Sequence, residues 1–376
     1  MSERHHIILV PGFFGFANLG DLVYFSHVSE FLGQVFADAG IDARITHAST
    51  SPTASIRERV RRIAEVIDNE AGRGPLHLIG HSSGGLDIRL LTAHGFSLEG
   101  RDIEAIAGRV RTVVMLATPH HGTPLANYFT TLFGQRILAL LSLATVYILR
   151  FGSLPLSFVF RLVGLVLEAR SYVSRANTVI DQLFSQLLSD FSRDRRRALQ
   201  DFLGEVSGDQ SIIPQLSPES LELFNARASD REGVRYGSVV TRGRKPNGRT
   251  RLRLGPNPYN QATYLVYQWL YREASRFPTT FFPVLSPEQR VRLLTQYHEM
   301  PSTADNDGIV PTLSQPWGEI IEAVDADHLD IIGHFYDRSH VPPHYDWLVT
   351  GSGFNREAFE RMWGNIASFV AEQMGR

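Results

Sequence analysis

Leu78-Ile79-Gly80-His81-Ser82-Ser83-Gly84-Gly85-Leu86 runs from an apolar, strand-like stretch into a Gly-x-Ser-x-Gly turn that opens a helix. Such a turn presents a serine hydroxyl as a nucleophile, because small residues at Gly80 and Gly84 let the backbone bend sharply under Ser82. A serine hydroxyl attacks poorly at neutral pH until a histidine takes its proton, and that histidine works best when a carboxylate fixes its tautomer. The chain must therefore supply an acid and a base after Ser82. Asp305-Asn306-Asp307-Gly308-Ile309-Val310-Pro311 offers the acid at a turn, with Asp307 favoured by its place before Gly308 and Asp305 as its rival. Val324-Asp325-Ala326-Asp327-His328-Leu329-Asp330 offers the base. His334, His340 and His344 compete, but His328 alone follows directly on a strand-like run. A tetrahedral intermediate also needs two backbone donors for its oxyanion. The Ser83 amide at the helix N-terminus is one, and the Phe13 amide in Val10-Pro11-Gly12-Phe13-Phe14-Gly15 is the expected other.

These groups need a scaffold that brings distant segments to one edge. Residues 7–10, 41–46, 76–79, 112–116, 234–240 and 320–324 are short apolar runs of strand character. Between the early ones lie helical stripes. Val28, Phe31, Leu32, Val35, Phe36 and Ala39 form one, ending at Gly40, and Ile56, Val60, Ile63 and Ile67 form another, with Ser55 and Glu58 as a candidate capping box. Buried-type strands alternating with amphipathic helices predict a mostly parallel α/β sheet covered on both faces, where function collects at the C-terminal strand ends. Pro11-Gly12, Ser82 and Thr118-Pro119 all fall there.

The alternation breaks at residues 125–209. Segments 137–149 and 156–167 are nearly all apolar and separated by Arg150, Gly152 and Pro155, and neither reaches the roughly 20 apolar residues of a membrane span. Two apolar helices joined by a turn are expected, either a buried hairpin within a cap or a lid facing lipid. The expected organisation is a core of 1–124 and 210–376 with a cap insertion over 125–209. Arg242, Arg244, Lys245, Arg249, Arg251 and Arg253 flank Pro246-Asn247-Gly248, and Asn-Gly between two runs predicts an inserted basic hairpin at 242–253. Its charges read as an ordinary exposed edge, with anionic lipid head groups as the alternative partner.

Composition bounds the rest. The 376 residues allow a sizeable core, the formal net charge of −2 points to no nucleic-acid partner, and the absence of cysteine removes disulfides, thiolate metal sites and cysteine nucleophiles. The N-terminal residues lack the pattern of a signal peptide, which favours a cytoplasmic or peripherally membrane-associated protein.

With these segments in view, the chain resembles bacterial α/β-hydrolase lipases, especially triacylglycerol lipases of the Pseudomonas and Burkholderia type. The resemblance rests on Gly80 to Arg89 as elbow with trailing arginine, on Ala117-Thr118-Pro119-His120-His121-Gly122-Thr123-Pro124, on Asn306-Asp307-Gly308-Ile309-Val310, and on His328-Leu329-Asp330. It implies an α/β-hydrolase fold and an ester or lipid substrate but covers only the core, so the expectation of a helical cap and lid that meets a lipid surface comes from the apolar segments within 137–167. It also implies a structural calcium ion with Asp330 as one carboxylate, although no cofactor is required for the chemistry. Two features depart from the family: Pro11-Gly12 replaces the usual His-Gly, and its disulfide is impossible without cysteine.

The expected function is a serine carboxylic-ester hydrolase, a lipase for medium to long acyl chains, with Ser82 as nucleophile, His328 as acid and base and Asp307 orienting His328. Phe14, Phe16, His81, Leu141 and Val146 are the expected pocket and lid residues. Acyl transfer or polyester depolymerisation by the same triad is the alternative within enzymes. A non-catalytic lipid-binding protein on a hydrolase scaffold is the alternative outside them.

Overall fold

The computed structural model describes residues 4–13, 24–168, 173–337 and 348–374. Six strands, β1 His5–Val10, β2 Ala43–His47, β3 Leu76–His81, β4 Val110–Leu116, β5 Arg235–Arg242 and β6 Glu319–Asp325, form one sheet. Their order is β2-β1-β3-β4-β5-β6 and every neighbouring pair is parallel. Parallel strands require crossovers that cover both faces, which is why the central strands read as unbroken apolar runs. Ile7, Ile8, Leu9, Leu78, Ile79, Val113 and Val114 are fully buried.

All six expected strands form, with ends shifted by up to two residues. The helices Val28–Asp38 and Ile56–Glu70 form as the stripes predict. Ser55 accepts the Glu58 amide at 3.2 Å, one half of a capping box, while the Glu58 carboxylate turns to Arg61.

The order of strands places the site. From β1 the chain turns one way to β2 and then returns past β1 to β3 and onward, so the crossovers diverge between β1 and β3. Crevices in open parallel sheets lie at such a switch point, outside the carboxyl ends of the strands. Pro11-Gly12-Phe13 leaves β1 and Ser82 leaves β3 at that point.

Between β4 and β5 the chain inserts a series of helices that includes Leu132–Phe151, Leu156–Glu168, Val173–Ser189 and Arg193–Gly208. The two apolar segments are helices, as expected, but they do not form a hairpin. Leu132–Phe151 packs on Val173–Ser189 and Arg193–Gly208, whereas Leu156–Glu168 packs on Pro258–Ala274 and Val173–Ser189. Each apolar helix is satisfied by other partners, and Ile137, Leu140, Leu143, Val146, Phe158 and Val159 are fully buried. Among the described residues no helix is long and apolar enough to cross a membrane.

The basic hairpin does not form. Residues Gly248–Arg253 are a short helix whose N-cap is Asn247, with the Asn247 side chain accepting the Thr250 amide at 2.8 Å. Asn caps a helix as readily as it makes a turn, and here the cap leaves residues 248–253 helical where the second arm of a hairpin would run.

Candidate active site

The turn after β3 bends as the glycines demand. Ser82 has φ 54° and ψ −127°, a left-handed conformation rare for a residue with a side chain. Its amide is held by the Leu116 carbonyl of β4 at 2.8 Å, which ties the turn to the next strand. A Cβ on Gly80 would lie 2.4 Å from the Gly84 carbonyl oxygen and 2.6 Å from the Gly85 nitrogen. Because those contacts are with backbone, Gly80→Ala should prevent the turn from closing, and we expect aggregation or a large drop in the melting temperature. A variant that melts with the wild type would contradict this reading of the elbow.

The structure brings the three segments together. Ser82 Oγ lies 3.0 Å from His328 Nε2, and His328 Nδ1 lies 2.8 Å from Asp307 Oδ2. All three residues are buried, with Ser82 keeping 7% exposure toward the pocket. Asp307 is an acceptor throughout. Oδ1 takes the amides of Ile309 and Val310 at 2.9 and 2.7 Å, and Oδ2 takes the Thr241 hydroxyl at 2.7 Å as well as His328. Every one of these partners donates, so the carboxylate serves purely as an acceptor. His328 Nδ1 then donates to it, and Nε2 is left to accept the Ser82 hydroxyl proton.

Asp305, the rival acid, instead accepts the Ser302 amide and the Tyr271 hydroxyl on the far side of the turn. His334 Nε2 donates to the Tyr24 carbonyl at 2.8 Å and makes no bond to Ser82. His340 and His344 lie outside the described residues, as do Phe14 and Phe16.

His81 is not a pocket residue. It is fully buried beneath the turn, with Nε2 2.9 Å from the His328 carbonyl and Nδ1 2.7 Å from the Tyr24 hydroxyl. Burial, and then the nearby charge of a protonated His328, hold its pKa well below the ordinary value, so the ring is neutral. A carbonyl can only accept, so His81 carries its proton on Nε2 and receives the Tyr24 hydroxyl proton on Nδ1. Tyr24 Oη in turn accepts the Gly12 amide at 2.9 Å. One chain of bonds thus links the loop after β1, the turn after β3 and the loop carrying His328.

A second tie comes from Arg59, also fully buried. It pairs with Asp87 on the elbow helix Ser83–Thr92 at 2.7 Å and donates to the carbonyls of Pro11 at 2.7 Å and Ser51 at 3.0 Å. Burial pushes the Asp87 carboxyl up to about 6 against the pull of Arg59, which leaves it ionised at neutral pH. Gly12 must stay glycine here, since a Cβ would meet Ser82 Cβ at 2.7 Å.

Above Ser82 lies a pocket lined by Phe13, Tyr24, Phe129, Leu138, Leu141, Ile213, Leu216, Leu270, Ile309, Val310 and Leu329 among others, apolar apart from the catalytic-type polar atoms at its floor. Leu141 is where the sequence places it. Val146 is buried against other helices and does not line the pocket. Tyr24, Arg59, Thr241, Leu138 and Gln315, whose side-chain oxygen accepts the Thr241 amide at 2.6 Å, are not among the expected residues. Only Arg59 leaves a sequence signal, a cation on the apolar stripe of Ile56, Val60 and Ile63.

Asp330, the carboxylate implied for calcium, is engaged by donors of the protein itself. Asp330 Oδ2 accepts the Asp327 amide and the Ser352 hydroxyl at 2.9 Å each, while Asp327 Oδ1 accepts the Leu329 and Asp330 amides at 3.0 Å. A calcium ion needs about six to eight converging oxygens. Among the described residues no three acidic or histidine side chains converge on one point. Asp330 here locks the His328 turn to residues near Ser352 through hydrogen bonds.

Burial raises the Asp327 carboxyl to about 7. Between the ordinary carboxylate range near ~4 and that value the folded protein keeps a proton that the unfolded chain releases, so stability falls as pH rises through this window. Asp327→Asn should flatten that part of a melting-temperature profile against pH, and an unchanged slope would assign it to other groups.

No family model matches the chain. It is 23% identical over 335 residues, 89% of each chain, to a triacylglycerol lipase of Pseudomonas fragi. Among solved structures it is similar to EstA from Clostridium botulinum, with a TM-score of 0.53, 18% identity and coverage of 98% of this chain and 88% of that one. Lipase 1 from Pelosinus fermentans superposes with a TM-score of 0.53 at 16% identity, covering 98% and 99%. The chain has the α/β-hydrolase fold. Staphylococcus hyicus lipase shares it, at a TM-score of 0.51 and 15% identity over 99% of this chain and 96% of that one. The position of Ser82 after β3, of Asp307 beyond β5 and of His328 after β6 follows the order nucleophile, acid, histidine of α/β hydrolases.

Proposed function

We propose that the protein is a serine carboxylic-ester hydrolase that acts as a lipase on medium to long acyl chains. The reading is carried by the bond chain from Ser82 through His328 to Asp307 at the floor of an apolar pocket. Ser82 Oγ attacks the ester carbonyl carbon while its proton passes to His328 Nε2. The carbonyl oxygen becomes an oxyanion held by the amides of Phe13 and Ser83. His328 then gives the proton to the departing alcohol, which leaves an acyl group on Ser82. Water attacks that acyl-enzyme with His328 again taking the proton, and His328 returns it to Ser82 Oγ as the Ser82–acyl bond breaks and the acid departs. Asp307 stays ionised throughout and stabilises the imidazolium.

Leu138, Leu141, Leu216 and Leu270 offer an acyl chain only apolar contact, at about 0.8 kcal/mol per buried methylene, so each added carbon favours binding until the pocket is filled. The inserted helices supply two of these walls and would serve as the cap. Initial rates on p-nitrophenyl esters from acetate to palmitate, wild type beside Ser82→Ala, test the reading. The expected profile rises beyond butyrate and vanishes in the variant. A maximum at acetate would make the protein a short-chain esterase, and activity that survives in the variant would remove the triad.

A further inference from the structure

From residue 243 to residue 272 the chain contains no aspartate or glutamate, yet Arg244, Lys245, Arg249, Arg251 and Arg253 crowd into its first part. All five are exposed. Arg251 donates to the Gln261 side chain at 2.9 Å, and among the described residues none of the five pairs with an acidic side chain. On the short helix Gly248–Arg253, Thr250 is the residue turned inward. Leu252, about 200° around the axis, points away from the protein and is 82% exposed. Arg249, three residues earlier, shares its face, and Arg251 and Arg253 precede and follow it in the chain. A large aliphatic side chain held out in water among unpaired cations contributes nothing to this fold, and it suits a surface that is anionic outside and apolar beneath.

The position of this patch ties it to the pocket. The segment leaves β5 beside the candidate acid, where the Gly243 amide donates to the Asn306 carbonyl at 2.9 Å. Tyr267 then pins it by donating to the Arg244 carbonyl at 2.7 Å. The helix Pro258–Ala274 that follows puts Leu270 into the pocket wall and packs on Leu156–Glu168. On that second helix Leu156 and Phe160 are also exposed, at 41% and 52%.

The geometry points to a docking surface for anionic lipid bilayers, in which Arg244, Lys245, Arg249, Arg251 and Arg253 meet the head groups and Leu252 enters below them. Cations near such a surface attract it additively, and an apolar residue among them anchors it. A nucleic acid fits less well. Single-strand binders stack bases on aromatic side chains, and residues 243–254 contain none. Docking here sets the pocket wall against the lipid. The inference goes beyond ester hydrolysis and does not depend on it.

Vesicle flotation with the Ser82→Ala protein tests this without turnover. Vesicles of phosphatidylcholine alone are compared with vesicles in which about a quarter of the lipid is phosphatidylglycerol. We expect clear preference for the anionic vesicles, weakened by salt. At roughly fivefold per cation near the surface, losing three cations alone lowers partitioning on the order of a hundredfold, so the charge-reversed Arg244→Glu/Arg249→Glu/Arg253→Glu should lower it by at least that much. Leu252→Ser should lower it several-fold while keeping the charge preference. In a protein that retains Ser82, the triple variant should hydrolyse a dissolved butyrate ester at the wild-type rate, which separates loss of docking from loss of folding. Should that rate fall, the single Arg249→Glu variant and Leu252→Ser carry the comparison. Equal binding to the two vesicle types, undiminished binding by the charge-reversed variants, or preference for a DNA oligonucleotide over vesicles would overturn the proposal.

Discussion

Replacing Ser82 by alanine should lower kcat for ester hydrolysis by on the order of a millionfold, replacing His328 by alanine should cost about as much, and the double variant should lose nothing further. The reason lies in the bond chain. Among the described residues Ser82 Oγ has one neighbour able to take its proton, His328 Nε2 at 3.0 Å, and that nitrogen is open to accept because Nδ1 is committed to Asp307 at 2.8 Å. Removing either end leaves the other without a task. Asp307→Asn should cost about ten-thousandfold while the fold persists, since an amide can present its NH2 to Nδ1 and stabilise the wrong tautomer. Thr241 and the amides of Ile309 and Val310 would still hold residue 307 in place. Losses in the single variants that multiply in the double would mean that the two residues act separately, and the proposed mechanism would fail.

Arg59→Met should destabilise the protein by about 3–5 kcal/mol and also depress kcat. The substitution strands the fully buried Asp87 carboxylate and releases the Pro11 carbonyl, which Arg59 holds at 2.7 Å. These two effects can be separated. Arg59→Met/Asp87→Leu removes both charges and should recover much of the melting temperature, because a buried pair contributes little net stability over apolar residues of similar size. It should not recover kcat, because the loop carrying Phe13 still lacks its anchor. Full recovery of both would confine Arg59 to packing. Recovery of neither would show that the cavity, not the stranded charge, dominates.

How much of this was legible in the sequence depends on the range of the interactions. The six strands were readable because strands buried on both faces leave unbroken apolar runs, and the ends slipped where polar residues such as Arg242 and Asp325 emerge toward the site. Ser82, Asp307 and His328 were readable because each sits at a turn with its own local chemistry. Asn247-Gly248 misled because an asparagine that can make a turn can also cap a helix, and the local signal does not separate the two. His81 misled for a related reason. Adjacent to Ser82 in sequence, it ends a strand whose alternation turns its ring under the sheet edge, where Tyr24 and the His328 carbonyl receive it. On an apolar helix buried on most sides, periodicity cannot say which face meets the pocket, so Leu141 was found, Leu138 was missed and Val146 was misplaced. Tyr24, Thr241 and Gln315 act only through partners far along the chain, and single residues of those types carry no local mark.

Fluorophosphonate labelling, read by intact mass and peptide mapping, tests whether Ser82 is an activated nucleophile. The account predicts one adduct, on Ser82, formed rapidly by the wild type, absent from Ser82→Ala and slowed by several orders of magnitude in His328→Ala. An unlabelled Ser82, or labelling at the same rate after His328 is removed, would contradict it.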